Sequence, residues 1–265
     1  MIIFQVPIGS GEILKVISGW IKELFLMRHR KNVLKKKFNF VYFSYAPDFE
    51  YLCLSIKSLI RNVHCEYAIT VFIDQKAPFT SEQEQIIRRI YSDVVFYPVE
   101  NFSWASISTT MAELSCFLKV AEESSEDDYL VKTDSDILFL SGDKFERIAT
   151  SNLKAIGDGR HINYKYFQGG LYIIQNKVIK NCFSNIQASD MEDIAQRWNG
   201  NLGEDLAVTQ RLKDKGIKPF ESRLMLFPSE YKKLKYANKF VRRDFVALHF
   251  VRDKESMKEY FENFI

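Results

Sequence analysis

The feature that most constrains this chain is a pair of carboxylates, Asp134 and Asp136, inside an apolar run from Tyr129 to Leu140. Side chains two residues apart on a strand project to the same face, and they also converge where a strand ends in a turn. Burying an unpaired carboxylate is costly, and two close carboxylates repel each other. The pair is therefore expected where a buried strand reaches an accessible edge, as the carboxyl ends of strands do in open α/β sheets.

A divalent cation is the usual partner for two carboxylates in such a place. Oxygen ligands suit Mg2+ or Mn2+, which keep open coordination positions for substrate phosphates. The alternative is that Asp-x-Asp is solvated charge or turn chemistry, as it often is in loops. Apolar residues on both sides favour a core strand that delivers the carboxylates to an edge, so the run predicts metal-bridged capture of a diphosphate.

The segments before this run alternate between strand and helix patterns. Apolar runs predict strands over 40–45, 67–74 and 94–97, and helical periodicity predicts helices over 49–61, 80–91 and 111–123. Thr80 or Ser81 is expected to cap the second helix, with Glu84 near the capping-box position. Such alternation predicts an α/β fold with a mainly parallel sheet flanked by helices, and the first strand-to-helix turn can form a nucleotide pocket.

The alternation decays after the carboxylate pair. A short strand over 154–159 and a turn at Gly169 and Gly170 lead into another strand, and paired glycines there indicate close backbone approach or simply a bulge. Helices are predicted over 178–186, 189–197 and 206–215, the last ended by Gly216, and a final strand over 245–250. We expect a small mixed region at the C-terminal end of the sheet.

Composition is that of a folded protein. The chain has 265 residues, 46% of them hydrophobic, and its net charge of +3 is too small to indicate nucleic-acid binding. Its apolar runs are too short for a transmembrane helix, and its start does not resemble a secretory signal. The cysteines have no metal-ligand spacing and are expected to be reduced in a cytoplasmic protein: Cys53, Cys65, Cys116 and Cys182.

A basic amphipathic segment, residues 1–37, precedes the first strand. Apolar side chains recur with helical spacing over 13–25, and runs of Arg and Lys follow. Such a helix can lie on an anionic membrane surface, or it can pack on the domain with a solvated basic end. Both interpretations stay open at this stage.

Four elements follow one another in a recognisable order: the paired-Asp strand, the Gly-Gly turn, the acidic segment Gly203-Glu204-Asp205-Leu206, and His249 at the end of an apolar strand. Together they resemble the GT-A-fold glycosyltransferases, above all the retaining families 8 and 6, over about residues 38–254. The resemblance implies one GT-A-like, Rossmann-type catalytic domain over 38–265. Its nucleotide-binding half would be 38–140 and its acceptor and catalytic half 141–265.

The resemblance also implies roles for the site residues. Asp134, Asp136 and His249 would hold Mn2+ or Mg2+ against the nucleotide diphosphate, although a lone histidine on an apolar strand is often a core residue. Asp205 or Glu204 would face the anomeric carbon, although acidic residues at a helix start also favour its dipole. The donor sugar would lie against Gly169 and Gly170, with Gln168 bonded to a sugar hydroxyl.

The rest of the donor would bind around the carboxyl ends of the first strands. The residues expected there are Ser44, Tyr45, Ala46, Asp48, Asp74 and Ser135, with Lys254 as a diphosphate contact. Family 8 has glycine where Arg252 stands and a lysine six places after the histidine, whereas Lys254 is five places after His249. A lysine-rich loop over 232–243 could close over the diphosphate or an anionic acceptor, or simply be solvated surface.

The implied function is metal-dependent transfer of a hexose from a nucleotide sugar, UDP-linked by family habit, to a glycan or lipid-linked acceptor. A cytoplasmic enzyme, peripheral at the inner face of the membrane, fits assembly of surface polysaccharide or lipopolysaccharide. A retaining reaction is favoured, and an inverting one with Asp205 or Glu204 as general base stays open. The other interpretations are a sugar-1-phosphate nucleotidylyltransferase, which would need a Gly-rich loop after the first strand, and a non-catalytic glycan- or membrane-binding protein of the same fold.

Overall fold

The computed structural model describes residues 36–100, 106–158, 166–200, 202–233 and 245–264. The predicted amphipathic helix over 13–25 lies outside these residues, as does the lysine-rich loop from residue 234 onward. Among the described residues no helix is long and apolar enough to cross a membrane. The four cysteines are all free.

Strands and helices alternate along the first half of the chain, as predicted. The strands are β1 (Phe38–Ser44), β2 (Tyr67–Asp74), β3 (Val95–Val99), β4 (Tyr129–Thr133), β5 (Ile137–Phe139), β6 (Ala155–Gly157), β7 (Leu171–Gln175), β8 (Phe220–Glu221), β9 (Met225–Leu226) and β10 (Ala247–His249). The helices are α1 (Phe49–Asn62), α2 (Ser81–Ile90), α3 (Ile107–Glu122), α4 (Asp143–Ala149), α5 (Asn176–Phe183), α6 (Ala188–Arg197), α7 (Glu204–Asp214), α8 (Pro228–Lys233) and α9 (Lys254–Phe264).

The main sheet has seven strands within the described residues, in the order β3-β2-β1-β4-β7-β6-β8. Strands β3, β2, β1 and β4 are parallel, and β7 runs antiparallel to both β4 and β6. The parallel strands thus end at one edge, while β7 begins there, because Thr133 at the end of β4 lies opposite Leu171. The predicted mainly parallel α/β sheet is confirmed.

Both faces of the sheet are buried, because successive side chains of its central strands point to opposite faces and most of them are hydrophobic. On β1, Phe38, Phe40 and Tyr42 belong to a core that includes α1 residues, whereas Val41 packs with residues of α3, α5, α6 and α7 on the opposite face. Lys132 of β4 lies opposite Val41 in the parallel pairing of β1 and β4, so the two side chains share one face of the sheet. A lysine in such a core requires partners of opposite charge.

The apolar run 129–140 is two strands rather than the single strand predicted. The chain leaves the main sheet after Thr133, turns through Asp134–Asp136, and forms β5 in a second sheet of order β5-β10-β9. There Ile137 lies opposite His249, and Leu138 packs in a third cluster with residues of α9. This small mixed sheet is the predicted C-terminal mixed region, with β5 added to it.

Two helix starts differ from the prediction in detail. Thr80 caps α2, but its capping-box partner is Gln83, because Gln83 and not Glu84 occupies the third helical position. Helix α3 begins at Ile107, one turn before the predicted residue 111, since Ser106 accepts a hydrogen bond from the Thr109 N–H. Neither difference moves a predicted site residue.

Candidate active site

Asp134, Asp136 and His249 come together at the carboxyl edge of the main sheet. The turn after β4 supplies the two carboxylates, and the end of β10 supplies the imidazole. Because β10 pairs with β5, His249 lies opposite Ile137, the residue that follows Asp136. His249 Nε2 lies 3.3 Å from Asp136 Oδ1 and 3.8 Å from Asp134 Oδ2. One ligand atom from each of the three side chains fits within 4.8 Å of the others. Two carboxylates and an imidazole at this spacing can hold a divalent cation.

Each carboxylate has one oxygen held by the protein and the other turned toward this centre. Asp134 Oδ1 accepts a hydrogen bond from Lys132 Nζ at 2.6 Å, and Asp136 Oδ2 accepts one from the Arg252 N–H at 2.6 Å. Burial opposes ionisation of Asp136, but the bonds from His249 and Arg252 outweigh it and hold its pKa below the ordinary value. Hydrogen bonds of this kind orient metal-binding carboxylates in proteins, so the donor set fits Mn2+ or Mg2+.

The Gly-Gly turn packs directly against this group. The Asp134 N–H donates to the Gly170 carbonyl at 3.0 Å. A Cβ on Gly170 would stand 2.9 Å from His249 Nδ1, and one on Gly169 would stand 3.2 Å from Asp205 Oδ2. The paired glycines are therefore needed for close approach of the turn to both side chains.

Glu204 and Asp205 open helix α7, as predicted, but their side chains have different surroundings. Glu204 Oε1 accepts a hydrogen bond from the Tyr172 hydroxyl at 2.7 Å and lies 3.7 Å from Lys132 Nζ. Asp205 Oδ1 accepts from the Leu206 N–H at 2.7 Å, and its other oxygen faces Gly169. Asp205 is thus the carboxylate on the side of the glycine turn, whereas Glu204 belongs to the buried interior.

Burial sets the protonation of this acidic pair. It raises the pKa of Glu204 to about 7 against the opposing charge of Lys132, and the neighbouring Asp205 charge adds to the rise. The pKa of Asp205 is also raised by burial, although the Leu206 N–H and Lys132 oppose the shift. Glu113 on α3 behaves similarly, because burial and the Glu204 charge raise its pKa well above the ordinary value.

Lys132 links the pieces of the site and is a residue that the sequence analysis missed. Its ammonium is buried, donates to Asp134 and to the Gly169 carbonyl, and faces Glu204. Burial lowers the pKa of Lys132, but the charges of Asp134, Glu204 and Glu113 outweigh it and leave the pKa raised. A lysine two places before Asp134 in a buried strand is the signal that the sequence offers, since its charge has to be paired.

The residues after β1 line the neighbouring part of the edge. Ser44 lies at the end of β1, where its hydroxyl accepts from Ser135 Oγ at 3.2 Å, and Ala46 begins a 3-10 turn whose N–H donates to Ala77. Burial raises the pKa of Asp48, and charges on Asp134 and Asp136 raise it further against Arg252. Ser44 and Ser135 therefore join the predicted nucleotide pocket to the carboxylate turn.

Three other predicted residues make contacts outside the group of Asp134, Asp136 and His249. Asp74 ends β2, and its carboxylate accepts from the Lys76 N–H at 2.9 Å, within its own turn. Lys254 Nζ lies 3.4 Å from Glu50 Oε2 and over the ring of Tyr51. The Gln168 N–H donates to Asp158, and its Oε1 is buried without a hydrogen-bond partner in the described part of the chain.

Arg252 stands closer to the centre than Lys254 does. Its N–H binds Asp136, and its guanidinium lies 3.5 Å from the Tyr45 hydroxyl. Val251 and Arg252 both have left-handed backbone, with φ of 49° and 64°. A sequence gives no signal for this conformation at residues that are not glycine.

Comparison with solved structures shows the fold. The galactosyltransferase LgtC, in complex with donor and acceptor sugar analogues, is 16% identical, with 84% of this chain and 95% of that chain covered at a TM-score of 0.58. The apo glycosyltransferase GlyE of Streptococcus pneumoniae TIGR4 is 16% identical over 85% of this chain and 60% of its own, at 0.53. Apo mouse xyloside xylosyltransferase 1 is 11% identical over 84% and 99%, at 0.50.

No protein-family model matches the sequence, and no curated protein matches it. The likeness therefore lies in the three-dimensional structure, which has the GT-A glycosyltransferase fold that the sequence resemblance predicted. At these identities the comparison shows the fold alone.

Proposed function

We propose that this protein is a metal-dependent glycosyltransferase that moves a hexose from a nucleotide-diphosphate sugar to a glycan or lipid-linked acceptor. One observation carries the proposal: one oxygen each of Asp134 and Asp136 and the Nε2 of His249 lie within 4.8 Å of one another. His249 packs against Gly170, and the carboxylate of Asp205 packs against Gly169 in the same turn. The arrangement lies at the carboxyl edge of the sheet, which is where ligands bind in open α/β folds.

The protein residues supply binding and orientation. Asp134, Asp136 and His249 would hold the cation, which when bound neutralises charge on the departing nucleoside diphosphate. The nucleoside would occupy the region of Ser44, Tyr45, Ala46, Asp48 and Ser135, with Asp74 near its rim. The donor sugar would lie over Gly169 and Gly170 with Gln168 beside it, since the glycines leave no side chain in the way.

Asp205 is the carboxylate we assign to the anomeric carbon. In a retaining reaction, which we favour, its negative charge would stabilise the oxocarbenium-like centre as the bond to the phosphate oxygen breaks and the bonding electron pair leaves with the diphosphate. The acceptor hydroxyl oxygen would form the new bond to the anomeric carbon on the face that the diphosphate leaves, and its proton would pass to the departing phosphate oxygen. In the inverting alternative it would accept the proton of the acceptor hydroxyl while the hydroxyl oxygen forms the new bond. Both roles need its ionised form.

The sequence resemblance and the charge of the N-terminal segment support the biological setting that we propose. UDP as the carrier follows from the sequence resemblance, and a cytoplasmic enzyme at the inner membrane face would fit surface polysaccharide or lipopolysaccharide assembly. The basic segment 1–37 supports peripheral attachment to an anionic membrane.

Thermal stability against a panel of nucleotides tests the proposal directly. Melting temperatures would be measured with UDP, GDP, ADP, CDP and their sugars, each with Mn2+, Mg2+ or EDTA. Binding to the native state alone raises the melting temperature by mass action. We expect a rise with one nucleoside diphosphate that EDTA removes, and slow metal-dependent hydrolysis of the matching donor. Binding without any hydrolysis or transfer would indicate a non-catalytic protein of the same fold.

Asp136→Asn is the variant for the same experiment. It should abolish the metal-dependent shift, because it removes a charge facing the cation, while leaving far-UV circular dichroism unchanged. Asp93→Asn, at an exposed position near the end of α2, is the matched control and should behave as the wild type. An undiminished shift in Asp136→Asn would contradict the metal assignment.

A further inference from the structure

Arg252 has a backbone conformation that an arginine adopts only at a cost. Its φ is 64°, and the preceding residue, the β-branched Val251, has φ of 49°. Left-handed backbone is readily adopted by glycine and is strained for other side chains, most of all β-branched ones. Strain of this kind persists where the surrounding structure enforces it, and it clusters at functional sites.

The backbone contacts of Arg252 do not explain the presence of an arginine. Its N–H donates to Asp136 Oδ2 at 2.6 Å, and its carbonyl accepts a hydrogen bond from the Tyr51 hydroxyl. Glycine could make both bonds in the same conformation at lower cost. The side chain must therefore contribute something that offsets the strain.

The Arg252 side chain extends toward the proposed nucleoside region, while its backbone N–H donates to a carboxylate of the proposed cation site. Its Nη1 is 3.5 Å from the Tyr45 hydroxyl, and the side chain is exposed. Burial raises the pKa of Asp48, and the positive charge of Arg252 opposes this rise. Arg252 thus contacts both regions, and a ligand bound to both would pass close to it.

Lys254, the residue expected to bind the diphosphate, is engaged elsewhere. Its ammonium lies 3.4 Å from the Glu50 carboxylate and 5.9 Å from the centre of the Tyr51 ring, both on α1. Arg252 is joined directly to Asp136, whereas Lys254 faces α1. Of these two cations, Arg252 is the one in contact with the residues of the candidate site.

We propose that Arg252 binds the phosphoryl oxygens of the donor, and that this contact is why an arginine occupies a position that favours glycine. The inference rests on the proposed function. A guanidinium presents planar, paired N–H donors that match phosphate oxygens, which an ammonium cannot reproduce. Arg252 would add to the cation's charge from the side of Tyr45.

Calorimetric titration of two variants, Arg252→Gly and Arg252→Ala, tests this inference. Each is titrated with Mn2+ alone, with pyrophosphate and Mn2+, and with Mn2+ and whichever of UDP, GDP, CDP and ADP binds the wild type most tightly. Both variants should bind the phosphorylated ligands at least tenfold more weakly and Mn2+ unchanged, since the backbone bond to Asp136 remains. The melting temperature of Arg252→Gly should equal or exceed that of the wild type, and Arg252→Ala should melt lower than Arg252→Gly. Loss in the glycine variant alone would assign the effect to backbone freedom and overturn the proposal.

Two lysine variants serve as comparisons for the loss of phosphate binding in the Arg252 variants. Lys258→Ala removes the same charge from an exposed position on α9 and should leave both phosphorylated ligands unaffected. Lys254→Met should weaken them less than either Arg252 variant, and the reverse order would overturn the inference. If the wild type binds the ligands and the Arg252 variants bind them equally well, this inference alone fails. If the wild type binds none of them, the proposed function fails with it.

Discussion

At the scale of single residues, Glu204 and Asp205 show how neighbours in sequence take different parts. The Glu204 side chain is 12% exposed, and its carboxylate accepts a hydrogen bond from the Tyr172 hydroxyl and pairs with the Lys132 ammonium. Asp205 turns one oxygen toward Gly169. The sequence leaves both carboxylates as candidates for the reacting group, and the geometry favours Asp205.

Isosteric amides separate the two carboxylates. Asp205→Asn should lower kcat by about 10²- to 10⁴-fold with little change in nucleotide affinity, because it removes a charge needed in the transition state. Glu204→Gln keeps an acceptor for the Tyr172 hydroxyl and should lower kcat far less. Steady-state kinetics with the donor found by thermal shift would measure both. A larger loss in Glu204→Gln than in Asp205→Asn would exchange their roles.

The raised pKa of Glu204 predicts a pH dependence of stability in the absence of metal. The folded protein retains a proton on Glu204 up to about pH 7, whereas the unfolded chain releases it near 4.5. Since the folded state binds more protons between these values, the free energy of unfolding should fall as pH rises from about 5 to 7. Glu113, whose pKa is also raised, adds to the same slope.

Urea unfolding of wild type and Glu204→Gln in EDTA, from pH 5 to 8, measures this effect. The variant should lose less stability across the interval, because its amide does not titrate. Parallel pH profiles for the two proteins would show that Glu204 is not the titrating group.

At the scale of elements, the Gly169–Gly170 turn and the strand β10 fit each other closely. Gly170→Ala would place a Cβ 2.9 Å from His249 Nδ1 and 3.2 Å from Met225 Sδ, so the imidazole must move. We expect Mn2+ affinity to fall about tenfold or more, as when the support of a metal ligand is disturbed. Electron paramagnetic resonance of free Mn2+ gives the affinity.

Gly216→Ala is the control for loss of a glycine. Gly216 has φ of 70°, and apart from its two neighbours in the chain no described atom lies within 4 Å of the position that a Cβ would take. The variant should therefore lose about 1 kcal/mol of stability through backbone strain and not through a steric clash. Its Mn2+ affinity should not change. Equal affinity of Gly170→Ala and wild type would show that His249 does not depend on this turn.

The predictability of these elements follows from how local their causes are. Continuous apolar runs predict the central strands, such as β2 over 67–74, because both faces of the sheet are buried. The separation of β5 from β4 was not predictable, since Ile137–Phe139 is as apolar as the residues of β4 and only its pairing with β10 decides its sheet. The left-handed Arg252 and the charge partners of Lys132 likewise depend on contacts made by distant parts of the chain.

At the scale of the whole molecule, the halves 38–140 and 141–265 are interlocked by their strands. Strand β7 pairs with β4 inside the main sheet, and β10 pairs with β5 in the small one. A fragment of residues 38–140 would expose one edge of β4 and all of β5, and it would lack β7 and His249. We therefore expect the two halves to unfold as one cooperative unit.

Expression of the two halves separately tests this. Fragment 38–140 should lack cooperative urea unfolding and bind no Mn2+, and mixing it with 141–265 should restore both, if only in part. Circular dichroism and Mn2+ titration measure the outcome. Cooperative unfolding of fragment 38–140 alone would show that the first half is an independent domain.

The pairing of β5 with β10 also has a consequence for the life of the nascent chain. Ile137 lies opposite His249, a partner synthesised more than a hundred residues later. Contacts so distant in sequence form slowly, because a long loop must close first. A ribosome-bound chain that has already formed β1 to β4 would still lack the imidazole of the proposed cation site. Competence to bind metal would then report that synthesis has passed β10, and intermediates would carry the two aspartates without their imidazole.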